Sequence, residues 1–567
     1  MKRNLLLVII LCFWVSIVFA AEPPGASPGA QAERFQQESL QKKKLLEKKP
    51  IKAPAIEVEE KPAQPQAEGI KFVLKGVKIS GAVLFKPEEL RLTYESYLGK
   101  EVSFSDLAKI TETVKSKYKA KGYLTTAVFL PEQDIKEGVI EIKVVEGKMG
   151  KLTIEGGKWF SSELIEKYFH LKKNEIINVN GLQRDILRLN QNSDLEVKTI
   201  ISPGQEPETS DIVLKVQDRF PWHAGIGQDN QGTRLSGRYR SSLSFRSTNA
   251  TGNLDSLFLN SLYSGKTFGQ SLSYSLPVGT YGTKLGVDMT YFTMRLGKEF
   301  KTAEITGNTQ IYTPRVSWEL ALTEDFQANT EIGMDIKSIK KKTGGEVISN
   351  DQLRIPYFGF NFSKIDSFNG QTTFVPRFAF STSRFLGASK RNHPTSSRQG
   401  TGGFFFKYNQ DITRIQRMPL TSYMLLRSQF QLATHTLPSS EQIQLGGANS
   451  IRGYPEGEYL ADWGGSMSLD WVFPMYFIPK GWKLKNADLP LRNQIEPVFF
   501  VDIGGGQLKK VIPGEQHSKF LAGIGGGLRF RFNRNISCRL DWAGSIGNNP
   551  SSGSGPSTFY FTFQSEV

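Results

Sequence analysis

The sequence predicts a transmembrane β-barrel of about sixteen antiparallel strands, preceded by two small α/β modules and an N-terminal helix. Three observations carry that reading. From residue 218 onward, short segments alternate apolar and polar residues and the helical period disappears. The apolar phase of those segments is dense in aromatics, and the polar phase carries arginines. The composition, with 54 glycines, 38 phenylalanines and 39% hydrophobic residues in 567, leaves room for large β architecture. It excludes a bundle of membrane helices, which needs several apolar runs of roughly 20 residues.

The elements follow in chain order. The one long apolar run is Leu5 to Ala20. It follows Lys2 and Arg3 and ends in Val18-Phe19-Ala20, so residues 1–20 read as a secretory signal peptide. Cys12 lies inside that run and not at its end, which argues against a lipoprotein anchor. Cleavage near Ala20 leaves Cys538 as the remaining cysteine, so neither an internal disulfide nor a cysteine metal cluster is expected. Residues 21–49 begin Pro/Gly/Ala-rich and continue, over 31–49, as strong helix formers without Gly or Pro. That helix spans roughly 28 Å. Phe35, Leu40, Leu45 and Leu46 are too few for contact with lipid, so it suits solvent or a polar lumen. Residues 50–69, with Pro50, Pro54, Pro62 and Pro65, read as an extended linker.

Residues 70–147 form the first α/β module. Phe72–Ile79 is strand-like. Ser105 is the expected cap of a helix with Leu107, Ile110, Val114 and Tyr118 on one face, and Gly122 stops it. Thr125–Leu130 and Val139–Val145 follow as strands. Residues 148–217 repeat the order: strand Leu152–Ile154, helices Ser161–His170 and Gly181–Asn192, strands Glu196–Ser202 and Asp211–Val216.

The barrel occupies 218–567, which allots roughly 22 residues to each strand and its connection. Successive side chains point to opposite faces of a strand, so one phase meets lipid and the other lines a watery interior. Val287, Met289 and Tyr291 alternate with Gly286, Asp288 and Thr290; Met467, Leu469, Trp471 and Phe473 share one phase of another segment. Arg238, Arg240, Arg246, Arg315, Arg529 and Arg531 fall on the polar phase, which predicts a polar, partly basic lumen. The last strand is expected at Thr558–Phe563, followed by a four-residue tail.

One connection, about 437–464, breaks the rhythm; loops this long usually have a function. It contains Ile451-Arg452-Gly453-Tyr454. A guanidinium near a barrel wall needs a partner, and Asp502 on the inner phase of a later strand is the best candidate for a bidentate pair. Gly504, lacking a side chain, lets the loop approach.

These motifs resemble those of the outer-membrane transporters of two-partner secretion, the haemolysin- and filamentous-adhesin-exporting type. Gly122-Tyr123, Pro131, Gln133, Gly138 and Glu146-Gly147 are similar to the family's polypeptide-transport-associated (POTRA) domain, and Leu189-Asn190 and Pro203-Gly204 to its second copy. Asp229-Asn230-Gln231-Gly232, Gly237, Arg240 and Tyr274-Ser275-Leu276-Pro277-Val278-Gly279 resemble the opening of its barrel. The loop tip resembles its Val-Arg-Gly-Tyr element with Ile451 for Val, followed by Asp462 and Gly464. Two positions depart from the pattern: Asp470 stands where Glu is common, and a tail follows the terminal aromatic.

The resemblance implies two periplasmic POTRA domains, a plug helix in the pore, and a loop folded back with Arg452 docked on Asp502. Arg452, Asp502, Gly453, Tyr454 and Gly504 are then the loop–barrel lock. The implied function is export of a large secreted exoprotein (TpsA-like), unfolded, across the bacterial outer membrane. An assembly factor of the same superfamily, inserting other barrels, is the alternative; a passive porin or a barrel enzyme is a further class. No cofactor is expected. The histidines at 170, 223, 393, 435 and 517 show no metal spacing, and the runs Gly504-Gly505-Gly506 and Gly523 to Gly527 lack the Lys-Ser/Thr ending of a phosphate loop. With a net charge of +16, an exported chain meets outer-membrane lipid, lipopolysaccharide or an acidic cargo rather than nucleic acid.

Overall fold

The computed structural model describes residues 24–47, 56–58, 71–135, 137–484, 490–512, 514–532, 535–547, 550–551 and 555–567. The signal-peptide reading of 1–20 and most of the linker lie outside them.

Sixteen antiparallel strands close into a barrel, from Trp222–Asp229 to Ser557–Glu566. Their residues alternate as expected. Phe499, Val501 and Ile503 face outward, while Val498, Phe500 and Asp502 are buried within. The wall is uneven. Phe326–Thr343 pairs along its whole length with Glu346–Ile365. The closing seam joins only Gly225–Asp229 to Thr562–Glu566. The last strand runs three residues beyond the expected Phe563. Glu566 reaches back to Arg246 of the second barrel strand at 2.7 and 3.1 Å, and this ion pair gives the final residues a reason to stay in the sheet.

The first module buries the predicted helix face: Leu107, Ile110, Val114 and Tyr118 are at most 1% exposed. The cap is Ser103 rather than Ser105. Its amide and that of Asp106 exchange hydrogen bonds with the opposite side chain, and Ser105 falls inside the first turn. The POTRA-like motif residues have structural tasks. Glu146 accepts from the Tyr118 hydroxyl at 2.8 Å and from the Val83 and Leu84 amides. Gln133 exchanges two hydrogen bonds with the backbone of Glu141.

The second module packs helices Ser162–Lys167 and Val179–Asn190 on a sheet of Lys148–Gly156, Thr209–Asp218 and Leu195–Pro203. A fourth strand comes from the linker. Ile56–Val58 pairs in parallel with Thr199–Ile201 and covers the sheet edge, which proline content alone does not suggest.

Candidate functional site: two elements inside the lumen

The N-terminal helix, Pro28–Glu47, lies inside the barrel against the four strands between Thr267 and Thr343. It is hydrophilic, and its contacts are mostly polar. Arg34 pairs with Glu456 of the long loop at 3.2 Å. Glu38 accepts from Arg240, which also holds Asp229 of the motif at the barrel's opening. The Lys337 ammonium bridges Glu33 of the helix and Glu441 of the loop, at 2.7 and 2.6 Å. Asn260 donates to Ser39 at 2.8 Å. Phe35 supplies the main apolar anchor. It packs on Phe292, and a Cβ on Gly269 would come within 2.9 Å of its ring.

The long loop leaves the strand Tyr423–Ala433, forms a hairpin of Ile443–Leu445 and Tyr459–Ala461, and puts its tip against the wall. Arg452 is completely buried. Its Nε and Nη2 donate to the two oxygens of Asp502, both at 2.7 Å, and its backbone amide donates to the same carboxylate at 3.0 Å. The guanidinium also donates to Ser468 and Asp470, approaches Asp541 at 3.5 Å, and stacks on Phe500 at 3.4 Å. Arg427 pairs with Asp470, and Arg529 and Arg539 pair with Asp541. Four guanidiniums thus face three carboxylates in one cluster.

The neighbouring residues fix the tip. Gly453 has φ +95°, and a Cβ there would meet the Gly544 carbonyl carbon at 2.8 Å. Its amide donates to the Tyr560 hydroxyl, which donates in turn to the Tyr454 carbonyl at 2.8 Å. The Tyr454 ring is buried, with its hydroxyl on the Ile546 carbonyl. Gly504 sits under Ile451, whose Cδ1 would lie 2.7 Å from a Cβ. Gly523 is tighter, with the Arg452 carbonyl 2.0 Å from the same position. At the loop's root, buried Asp462 accepts from the Leu437 and Lys509 amides and from Arg398.

All five sequence-predicted lock residues therefore converge on one wall. The prediction paired Arg452 with Asp502 and missed Asp470, Asp541, Phe500 and Tyr560. The signal existed for Asp470. It shares the inner phase with Ser466 and Ser468, opposite Met467, Leu469 and Trp471.

The second module docks on the barrel's periplasmic rim. His170 bridges Asp185 at 2.8 Å and Thr280 of a barrel turn at 2.7 Å, and stacks on Tyr281. Arg188 reaches Glu319 at 2.7 Å. Asp194 gathers His223, Thr248 and Arg246. Burial alone would lift its carboxyl, but those partners hold it below the usual carboxylate range.

This architecture has relatives. Residues 208–530 match the model of the haemolysin secretion/activation protein family ShlB/FhaC/HecB, and residues 72–147 match the ShlB-type POTRA domain. The heme/hemopexin transporter protein HuxB of Haemophilus influenzae is 24% identical over 404 residues, 70% of this chain and 71% of its own. The outer membrane transporter CdiB of Dickeya dadantii is 24% identical over 442 residues, 75% of each. The structure of CdiB from Escherichia coli superposes with a TM-score of 0.75 at 19% identity, over 95% of this chain and 99% of that one. A BamA structure from Haemophilus ducreyi shares the fold at 0.51. With POTRA modules, a closed sixteen-stranded wall and a family match across more than half its length, the chain belongs to the ShlB/FhaC/HecB family of haemolysin secretion and activation proteins.

Proposed function

We propose that the chain is a two-partner secretion translocator that captures one large exoprotein in the periplasm and passes it, unfolded, through the barrel. The observation that carries this reading is the polar plug. A helix held in a wet lumen mainly by hydrogen bonds and ion pairs exchanges them for water when it leaves, at small net cost. Its departure opens a path for an extended chain.

The second module supplies a capture mode. The linker strand Ile56–Val58 adds to the edge of Leu195–Pro203 through main-chain bonds. An extended cargo segment binds there by the same strand addition and displaces the linker. That frees the strand that follows the helix in the chain. The loop, locked by Arg452 on Asp502 with Gly453, Tyr454 and Gly504 shaping its seat, stays as the fixed lip of the channel. The chain acts as a transporter and not an enzyme, and needs no cofactor. Its remaining contacts are outer-membrane lipid, lipopolysaccharide and the cargo, not nucleic acid.

The test is a cross-link. Ser39→Cys and Asn260→Cys in a Cys538→Ser background, joined by a short cleavable thiol reagent, hold the helix in place. Cargo release into the medium is expected to stop and to return on cleavage. Undiminished release from the cross-linked protein would overturn the reading. Loss of many other outer-membrane proteins on deletion would instead favour the assembly-factor alternative.

A further inference from the structure

The barrel's outer face has one stretch that its lipid surroundings do not explain. In the strands Thr283–Arg295, Thr306–Leu322 and Phe326–Thr343 the inner phase is identified by contact with the plug. Phe292 and Met294 cluster with Phe35, and Gly307 abuts Pro28. Lys337 reaches Glu33. The alternate residues point outward. Low on the wall they are apolar: Leu320, Trp318, Val316 and Tyr312 along one strand. From Leu320 to Tyr312 is eight residues, or roughly 21 Å of height at a 3.4 Å rise and 40° tilt. That nearly fills an apolar band of about 25 Å.

Above Tyr312 the same face turns basic. Arg295 pairs with Thr306, and Thr306 with Lys342. The two cations flank Thr306, roughly 10 Å apart by strand spacing. Lys340 lies one pleat below Lys342, beside Asn308. Lys266 begins the adjoining strand end, its carbonyl accepting from the Arg295 amide at 2.8 Å, and its ammonium covers Gly297. All four side chains are exposed, and none makes an ion pair among the described residues. Nearby Glu299 is held by Arg234. The four line one open cleft floored by small residues, with Tyr263 and Phe268 at its sides.

We propose that this cleft is a headgroup site for a phosphorylated glycolipid of the outer leaflet. Its phosphates lie between Arg295 and the pair Lys340 and Lys342, and its acyl chains descend over Phe268, Tyr291 and Tyr312. Charge and depth together select the ligand. A cation cluster at headgroup height attracts anionic lipid, and the apolar wall below accepts chains that a free phosphate or an acidic peptide lacks. The site faces away from the lumen, so cargo in transit does not meet it. The inference rests on the outer-membrane reading.

Native mass spectrometry of the full chain, released from detergent, tests it with purified bis-phosphorylated lipid A. The fourfold variant K266Q/R295Q/K340Q/K342Q is compared with K71Q/K75Q/K78Q/K143Q, which removes equal charge from the first periplasmic module. The wild type and the control are expected to retain one lipid. The rim variant is expected to bind at least about tenfold more weakly, and lipid A lacking both phosphates to bind no better to the wild type than to the rim variant. Heat-modifiable migration on a gel reports that each barrel is folded; K340Q/K342Q alone is read if the fourfold variant is not. Equal retention by the rim variant, equal binding of the dephosphorylated lipid, or displacement of the lipid by polyglutamate would overturn the site. A chain that stays soluble without detergent would instead overturn the outer-membrane reading.

Discussion

The lumen holds two elements of opposite design. The plug helix touches the barrel mainly through polar groups, some of them still wetted. The side chains of Arg34, Glu33 and Glu38 keep 15–20% exposure. Gln31, Ser39 and Lys43 are buried against neutral hydroxyls and amides, apart from one partly exposed glutamate. The loop tip touches it through Arg452, Asp502 and Asp541, at 0–1%. A partly wet ion pair is worth little and trades readily with water. A fully buried guanidinium among carboxylates is different, because removing it strands their charge in a dry site. This contrast is what the proposed function uses: the helix comes out and the loop remains. Several contacts cross the division: Lys337, Glu456 and Gln444 join helix and loop, so departure of the first is felt by the second.

Breaking the lock has the largest expected effect. Arg452→Ala leaves Asp470, Asp502 and Asp541 short of their shared cation and costs about 3–5 kcal/mol locally. Export is expected to be lost while heat-modifiable barrel still accumulates in the outer membrane; normal export by that variant refutes the lock. Lys337→Met comes next, since it takes the cation from Glu33 and leaves Glu441 to Lys407 alone, at an expected cost of about 2–3 kcal/mol. Hydrogen exchange is expected to rise in both 28–47 and 437–462, and a rise in only one would separate the two elements. Phe35→Ala removes the helix's apolar anchor, worth about 3 kcal/mol. Planar-bilayer conductance is expected to show more frequent opening, with the barrel's melting temperature little changed. Arg34→Ala is expected to cost about 1 kcal/mol or less, and its openings to respond to salt more than those of the Phe35 variant.

The smallest effect concerns acid. The Asp194 carboxyl is depressed in the fold relative to a free value of about 3.9. Its contribution is thus complete above that value and lost as pH falls through the folded pKa. Exchange protection of residues 160–218 is expected to hold from pH 7 to 5 and to decline only below about pH 4. A decline already between pH 6 and 5 would place the control elsewhere.

How much of this was legible depends on the distance over which each feature is encoded. The alternation in Gly286–Tyr291 and Ser466–Phe473 is a local pattern, and so is the apolar face of the helix that buries Leu107 to Tyr118. Arg452 and Asp502 were matched across fifty positions because few residue types satisfy a buried guanidinium. Asp541 and Tyr560 were not, since nothing local separates a carboxylate or phenol lining the lumen from one that meets the cluster. The cap fell on Ser103 because two serines two positions apart offer the same chemistry, and only the geometry of Asp106 chooses between them.

The amino-acid order alone determined the two periodicities, the punctuation by glycine and proline, and therefore the succession of linker, modules and barrel. Those signals act within a few residues, where sterics and solvent exposure are enough. The tertiary structure decided what closes on what: Glu566 against Arg246 across the seam, the linker strand on the edge at Thr199–Ile201, and Lys337 shared by helix and loop. Closing a sheet into a cylinder brings inner faces together from everywhere in the chain. Which of their charges meet depends on shear and register, and no short stretch of sequence encodes either.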